Sequence, residues 1–539
     1  MKIFNNITNG YRKIASGIAI VAFLALMYFA LIPAGTVAAS FVTAASGDPI
    51  IGAFVKLVDY PQYNATTLSD GTYTINNVPY GEYDISAQAP RYLRNVSKVN
   101  VSSSSVTKDF SLYEGSVTGE IRHYSTVDNE LTSSKVSTLS DVGKNFVIPS
   151  YGNGVTWQTR VYITDYSGLG STLTVQYYNE AGTPGVIETP TIPPNGTITW
   201  TPTDGTNSRP LIGKMVITST NNITGEFILN STSSTDLISS RLYTSADMGT
   251  SFLIPQYGNG VGWQTFVAIS DLSGLGAGLT LKYYDVNGNL VRTETPTVPA
   301  NGMYKFIPTD GTVPGRPLIG SLEITSTQTI TGEFRVYSTA NAGILSNKLY
   351  TSADKKNRFV IPSYGNGVSW HSWIAISDVS GLGANLTIKY YNSTGTFVTK
   401  ETNYIVPKGM YRTVLTDGTN GRPLLGKLEI SSDNDVAGEM RIYPITGRGI
   451  TATSLYTQMD ISNTLIVPYY GNNNNFHTYL ALSDFSGYSG SIRLEYHGLS
   501  GGAPVKIETQ TIPGDGMYKW GQLEGTGGAP IEGNVFIYR

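Results

Sequence analysis

Past residue 40 the chain is written in short alternations of apolar and polar residues. Phe54-Val55-Lys56-Leu57, Tyr73-Thr74-Ile75 and Leu386-Thr387-Ile388-Lys389-Tyr390 all alternate. A period of two sends one set of side chains to a buried face and the other to solvent, so each stretch predicts a half-buried β-strand. Turn residues separate the stretches: Asp70-Gly71, Tyr80-Gly81, Asn366-Gly367 and Pro407-Lys408-Gly409. Asn-Gly is a strong hairpin signal because both residues tolerate positive φ. No window in this part holds a helical period. The exception comes earlier. Lys2, Arg12 and Lys13 precede an apolar run from Ile14 to Ile32, followed by Pro33 and small residues through Ala39. That pattern predicts a membrane-targeting helix with its N-terminus in the cytoplasm. It is either cleaved after the small residues or retained as an anchor.

One stretch organises the rest. Phe359 to Trp370 reads FVIPSYGNGVSW and recurs as FVIPSYGNGVTW (146–157), FLIPQYGNGVGW (252–263) and an eroded LIVPYYGNNNNF (465–476). Its tyrosines, Tyr151, Tyr257, Tyr364 and Tyr470, lie 106, 107 and 106 residues apart. That interval suits a whole domain better than a solenoid repeat, so four tandem units are expected. Within each unit the next strand alternates. Trp370, Ser372, Ile374 and Ile376 fall on one face, and His371, Trp373, Ala375 and Ser377 on the other. Tyr390 belongs to a core face and Tyr391 to its opposite. Leu428-Glu429-Ile430 and Gly438 to Tyr443 read as a closing pair of strands. Short strands with frequent turns predict antiparallel sandwiches of immunoglobulin-like size.

The phase leaves a remainder. Closing strands are counted at Glu120, Glu226, Glu333 and Glu439, and again at Gly533 to Tyr538, giving five for four units. The extra strand, Val117 to Tyr124, is expected to pair in a linker hairpin with Ser134 to Leu139. The alternative is donation to a neighbouring subunit, since an unpaired strand edge invites pairing.

Residues 40–113 contain SG.PI.GA.V.L and then SDG.Y.I.NVP.G.Y.ISA.APRY. This segment resembles the carboxypeptidase regulatory-like domain. The resemblance implies a prealbumin-like β-sandwich, a non-catalytic accessory module, and membership of a carbohydrate-binding-like fold group. The four units, with their W.T.V.I.D strand, YY…G hairpin and ITS…ITGEF ending, resemble secreted β-sandwich repeats of microbial surface proteins. The expected fold class is therefore all-β: a string of Ig-like and prealbumin-like antiparallel β-sandwiches after an N-terminal hydrophobic export helix. The expected division is 1–39 signal peptide or anchor, 40–113 regulatory-like sandwich and 114–145 linking strands. Four repeats follow, at 146–245, 246–352, 353–458 and 459–539.

Composition narrows the chemistry. Only 14% of the 539 residues are charged, the formal net charge is −3, and there is no cysteine. Disulfides and thiolate metal sites are excluded, and the basic excess of a nucleic-acid binder is missing. His123, His371, His477 and His497 read as surface residues without a nucleophile beside them. Asp165, Asp271, Asp378 and Asp484 recur after the Trp strand, and Asp204, Asp310 and Asp417, with Glu524 in the fourth unit, recur in a TDGT loop. These suit Asx-type turns or ion pairs with Arg209, Arg316 and Arg422; calcium is the alternative reading, without a dense acidic run to support it. Trp373, Tyr391 and Phe266 are candidates for sugar stacking on the outward face. Sequons start at Asn64, Asn95, Asn100, Asn195, Asn222, Asn230, Asn385 and Asn392. No catalytic, metal or cofactor set is predicted. The expected protein is a non-enzymatic, extracellular or cell-surface structural component. Its expected partners are other surface proteins or copies of itself. It has no nucleic-acid partner, and it meets the membrane only through a retained N-terminal segment. The alternative is a carbohydrate- or matrix-binding surface protein.

Overall fold

The computed structural model describes residues 34–126, 130–154, 157–202, 209–258, 262–307, 315–338, 343–365, 370–415, 421–444, 449–471, 476–520 and 529–539. The export helix expected over Ile14–Ile32 lies outside them. Among the described residues no helix is long and apolar enough to cross a membrane. The chain is all-β, and it separates into two compact units, 1–114 and 115–539.

The first unit is a sandwich of two four-stranded sheets. Ala34–Ala44 pairs with Thr72–Pro79 on one side and with Ser105–Val106 and Phe110–Leu112 on the other. Facing it, Asn64–Thr66, Phe54–Leu57, Gly81–Gln88 and Asn95–Val101 follow in order. The alternating residues meet between the sheets: Val55, Leu57, Tyr73, Ile75, Ile85, Val99 and Phe110 are buried. Residues 34–38, read from sequence as part of the small-residue tail of the export segment, belong to the first strand, and Val37 is fully buried in this core.

The second unit is built on one long strand per repeat. In the first repeat Ile212–Ser231 runs 20 residues. Its first half pairs with Gly143–Gly152 and Ser171–Asn179. Its second half pairs with Trp157–Asp165 and Leu237–Arg241. Between the halves Thr218, Thr220 and Asn222 are exposed, so the strand leaves one sheet and enters the next through a solvated middle. Ile319–Ser338 and Leu425–Pro444 repeat the arrangement. The closing pair read from sequence is thus one continuous strand, whose polar centre mimics a turn.

The fourth repeat has the same strand in two pieces. Glu532–Tyr538 supplies the first half, between Thr464–Gly471 and Gly490–Gly498. Val117–Ser125 supplies the second half, between Phe476–Asp484 and Leu131–Lys135. No closing strand is spare. Gly533 to Tyr538 corresponds to Gly213 to Thr218, while Val117 to Ser125 corresponds to Ile223 to Ser231. Both pieces are flanked on both sides within one chain, so neither offers an edge to another subunit. The pairing of 117–125 with 131–135 agrees with a local hairpin, but its other edge is taken by the last repeat.

That pairing closes a ring in place of the expected string. In each repeat a hydroxyl of the Trp strand bonds the motif proline carbonyl of the repeat before it. The donors are Ser270 to Pro149 (2.7 Å), Ser377 to Pro255 (2.7 Å), Ser483 to Pro362 (2.5 Å) and, returning, Thr164 to Pro468 (2.6 Å). A backbone series does the same: Met303 N–H to Glu180 O, Met410 to Val286, Met517 to Ser393, and Thr197 to Leu499. Radial repetition of this kind leaves only short, protected edges. It also explains the second face of the Trp strand. Ala268 and Ser270, which sequence places toward solvent, are fully buried against the neighbouring repeat.

Candidate functional site

The recurring aspartates are structural clamps. Asp271 Oδ1 accepts from Ser273 Oγ (2.6 Å) and Ser273 N; Oδ2 accepts from Gly274 N (2.9 Å) and Asn301 N (2.7 Å). One carboxylate thus ties the Ser-Gly-Leu-Gly loop to the Pro-x-Asn-Gly turn, where Asn301 sits at φ 55°. Asp165, Asp378 and Asp484 repeat the pattern with Asn195, Lys408 and Asp515 N–H groups. Burial works to raise the Asp271 pKa, but hydrogen bonds from Ser273, Asn301 and Gly276 outweigh it and hold it below the usual range. At Asp484 burial wins and the pKa rises. Among the described residues no cluster of His, Asp and Glu could hold a metal ion. Asp204, Asp310, Asp417 and Glu524 lie outside the described residues.

The arginines expected to pair with those loop aspartates each bind a glutamate on the neighbouring hairpin strand. Arg316 bonds Glu294 through Nε (2.9 Å) and Nη2 (2.8 Å), and its guanidinium lies 5.3 Å from the Tyr283 ring. Arg209 with Glu188 and Arg422 with Glu401 repeat this. The hairpin folds this cross-strand glutamate back over the core tyrosine, whose hydroxyl donates to it in all three repeats.

The three candidate sugar-stacking aromatics are engaged within the ring. Tyr391 is 7% exposed, and its hydroxyl donates to Glu429 (3.1 Å). Phe266 and Trp373 are half-buried. Arg335 lies 5.4 Å from the Trp157 ring and 5.7 Å from Phe266; Arg441 lies 5.6 Å from Trp263 and 5.0 Å from Trp373. Each guanidinium is therefore set between aromatics of successive repeats and bonded to a buried glutamate, Glu333 or Glu439. Of the sequon residues, Asn64, Asn100, Asn222 and Asn385 are exposed, while Asn95, Asn195, Asn230 and Asn392 are half-buried. His123 and His497, expected at the surface, are buried. His123 Nε2 lies 3.3 Å from Glu226 Oε1.

Two features were not foreseen. Where the repeats meet, Leu131–Lys135, Leu237–Arg241, Ile344–Lys348 and Thr451–Ser454 line a cavity of only about 40 Å³ with Ser, Thr and Asn side chains. Lys135 bonds Asp460 (2.9 Å), Arg241 bonds Asp141 and Asp247, and Lys348 bonds Asp247 (2.6 Å) and Asp354 (3.0 Å). These aspartates close capping boxes begun by Thr138, Thr244, Thr351 and Thr457. The recurrence TLSD, TSAD, TSAD, TQMD was a signal for them in the sequence.

The larger feature is a pocket of about 370 Å³ at the seam between the fourth and first repeats. It is lined by Glu495, His497, Gly502, Ala503, Pro504, Phe536 and Tyr538 from one side, and by Tyr166 and Asn195 from the other. His497 Nδ1 lies 3.0 Å from the Gly502 carbonyl. That contact places the proton on Nδ1 and leaves Nε2 as an acceptor. Among the described residues Nε2 has no hydrogen-bond partner, and it lies 4.0 Å from Glu495 Oε2. Burial lowers the His497 pKa against the opposing pull of Gly502 and Glu495, keeping the imidazole neutral near pH 7.

Residues 39–113 match the family model of the carboxypeptidase regulatory-like domain, so the first unit is a module of that class. Comparison with curated proteins finds no match. Among solved structures, a type II cohesin–X-dockerin complex from Acetivibrio cellulolyticus is 22% identical. The match covers 15% of this chain and 58% of that one, little over half its length, with a TM-score of 0.13. BcpA, the major pilin subunit of Bacillus cereus, is 13% identical over 73% of this chain and 98% of that one, with a TM-score of 0.15. These scores are too low to carry an argument about the ring. Its architecture rests on its own strand pairing.

Proposed function

We propose that this chain is a non-enzymatic structural protein of the cell surface, exported through its N-terminal apolar segment. In this reading a regulatory-like sandwich precedes a ring of four β-sandwich repeats in the chain. One observation supports it most. Among the described residues the recurrent ionisable side chains of the ring hold loop to turn, strand to strand or repeat to repeat, and none of these is left poised for reaction. The partners of such a protein are other surface proteins or further copies of itself. Immunogold labelling of intact cells, combined with N-terminal sequencing of the mature chain, tests the reading. Surface label on a regular array or on appendages is expected; label confined to the cell interior refutes it.

The alternative, glycan binding through Phe266, Trp373 and Tyr391, has less support, because arginines or glutamates already engage those rings. A glycan array probed with the full chain tests it. Binding lost on Trp373→Ala, with the melting curve unchanged, would favour it. Where the chain is made in a glycosylating host, Asn64, Asn100, Asn222 and Asn385 are the acceptors expected to carry sugar, and glycopeptide mass spectrometry reads this directly.

A further inference from the structure

The four junctions of the ring are controls for one another. At the first, the Lys214 ammonium bonds the Asp271 carbonyl and lies 4.8 Å from the Tyr178 ring. At the second, Lys408 Nζ bonds Glu323 (2.7 Å) and the Val379 carbonyl (3.2 Å). At the third, Lys427 Nζ bonds the Asp484 carbonyl (2.7 Å) and Asp515 (3.1 Å), and lies 4.0 Å from the Phe485 ring. Each of these three junctions holds a lysine ammonium bonded to carbonyl or carboxylate oxygens of the neighbouring repeat or of both repeats.

The seam has none. The position of Lys214 and Lys427 is Asn534, and that of Lys408 is Asn195. Other substitutions enlarge the space and change its lining. His497 stands where the other repeats have Tyr178, Tyr284 and Tyr391. Phe536 replaces Val216, Glu323 and Glu429; Tyr538 replaces Thr218, Thr325 and Ser431. The hairpin is also one residue longer: the core tyrosine bonds a glutamate 12 positions on in the fourth repeat, against 11 in the others. That extra residue falls in the 498–506 turn whose Gly502, Ala503 and Pro504 wall the pocket.

What lines the space is acceptor and aromatic. Glu495 offers a carboxylate. Its neighbour Arg493, 52% exposed, holds Oε1 at 2.6 Å, which leaves Oε2 on the side of His497. His497 offers Nε2 without a donor. Beyond the lining, at the lysine position on the strand of Phe536 and Tyr538, the buried Asn534 Oδ1 is likewise without a donor among the described residues, while its amide donates to the Asn195 carbonyl (3.1 Å) and Thr197 Oγ1 (3.0 Å). Phe536, Tyr538 and Tyr166 add ring faces and edges. A carboxylate and an unsatisfied imidazole nitrogen, gathered with aromatic groups, complement a cation that donates hydrogen bonds. The volume falls in the range of small-molecule sites and exceeds what a bare ion needs.

We propose that the seam pocket binds an organic ammonium: a primary amine carried on a small polar molecule, seated where the other three junctions place their own lysine. The inference stands apart from the structural role of the ring.

Calorimetric titration of the full chain with n-butylammonium, n-butanol and glucose tests it. One n-butylammonium per chain is expected, bound about tenfold or more tighter than either neutral probe. Glu495→Gln should weaken it about tenfold while leaving the melting curve in place. Asn534→Lys should supply the ammonium from within, abolishing binding and preserving or raising the melting temperature. No binding heat from n-butylammonium, glucose binding as tightly as the amine, or unchanged amine affinity in Glu495→Gln each overturns the proposal. Amine binding that persists in a folded Asn534→Lys protein does so as well.

Discussion

Closure of the ring can be tested with a covalent bond. Tyr124 and His477 are register partners in the pairing of Val117–Ser125 with Phe476–Asp484. Partners across antiparallel strands have Cα atoms about 4.5–5.5 Å apart, inside the span a disulfide accepts. The chain has no cysteine of its own, so Tyr124→Cys with His477→Cys introduces one dithiol and no competitor. Mild oxidation should close a loop of roughly 350 residues, which by the chain-entropy relation restricts the unfolded state by about 6 kcal/mol, an upper figure given how engineered bridges perform. Three readouts follow. Free thiol falls to zero in the monomer, intact mass drops by the two hydrogen atoms transferred to the oxidant, and the unfolded chain migrates faster on a non-reducing gel. The denaturant midpoint rises, and reduction reverses it. Tyr124→Cys with Gln264→Cys is the control, because Gln264 faces Tyr337 in the second repeat and should not crosslink to residue 124. Thiols that stay free, or crosslinks found only between chains, would refute closure; the second result would point to strand donation between subunits.

Other perturbations probe separate parts of the same construction. An ideal Cβ on Gly288 would sit 2.0 Å from the Pro407 carbonyl of the next repeat, whereas one on Gly262 meets nothing within 4 Å, and both have φ near 84°. Gly288→Ala should therefore destabilise by about 1–3 kcal/mol more than Gly262→Ala in urea denaturation; equal losses would remove the inter-repeat contact from the account. Asp271→Asn should cost about 1–3 kcal/mol at pH 7. The wild-type group has a depressed pKa, so its contribution is complete above the ordinary carboxylate range and is lost as pH falls through the lowered value. The gap between the two proteins should thus close on acidification, and a gap that widens would contradict the clamp. Arg335→Met strands the Glu333 carboxylate, whose pKa burial already raises against the pull of Arg335. A loss of about 3–5 kcal/mol is expected at neutral pH, shrinking as pH falls toward the raised pKa, and Glu333→Gln in the same background should recover part of it.

Much of the local structure was legible. Alternation placed Ile269, Ile376 and Tyr390 in cores, and all are fully buried. The regulatory-like pattern marked the first sandwich. What alternation could not convey was whether its outward face stays outward. Ala268 and Ser270 look like solvent positions because both are small and neither is a large apolar residue, yet small residues also let a neighbouring backbone approach. The 20-residue strand read as two because Thr218 to Asn222 are polar, and that reading counted the two pieces of the fourth repeat's divided strand, Val117–Ser125 and Glu532–Tyr538, as equivalent closing strands, so that one seemed spare. Proximity in sequence points Arg209, Arg316 and Arg422 to loop aspartates that lie outside the described residues, and it gives no sign of the glutamate 21 or 22 residues away that strand pairing supplies. A histidine carries no mark of its own burial, so His123 and His497 were read by default as surface residues.

The eroded fourth motif carries a further argument for the ring. Its PYY replaces PSY or PQY, putting Tyr469 where the other copies have Ser150, Gln256 and Ser363. On the Trp strand of the first repeat, Tyr162 replaces Ala268, Ala375 and Ala481. In a linear string these two departures would sit on opposite end repeats with no reason to match. In the ring they stack with centroids 3.9 Å apart and planes at 22°, with Ile228 and Leu237 beside them. Ile228 in turn stands where Arg122, Arg335 and Arg441 stand in the other repeats, so this junction exchanges an arginine–glutamate–aromatic contact for an apolar one. Tyr166, His497, Asn534, Phe536 and Tyr538 depart from the pattern at the same junction. Departures on both sides of one interface that complement each other are what closure requires, because the two end repeats must recognise one another and not their near-identical neighbours. A distinct seam fixes the register of closure at four repeats and directs Val117–Ser125 to the last repeat and not to an earlier one.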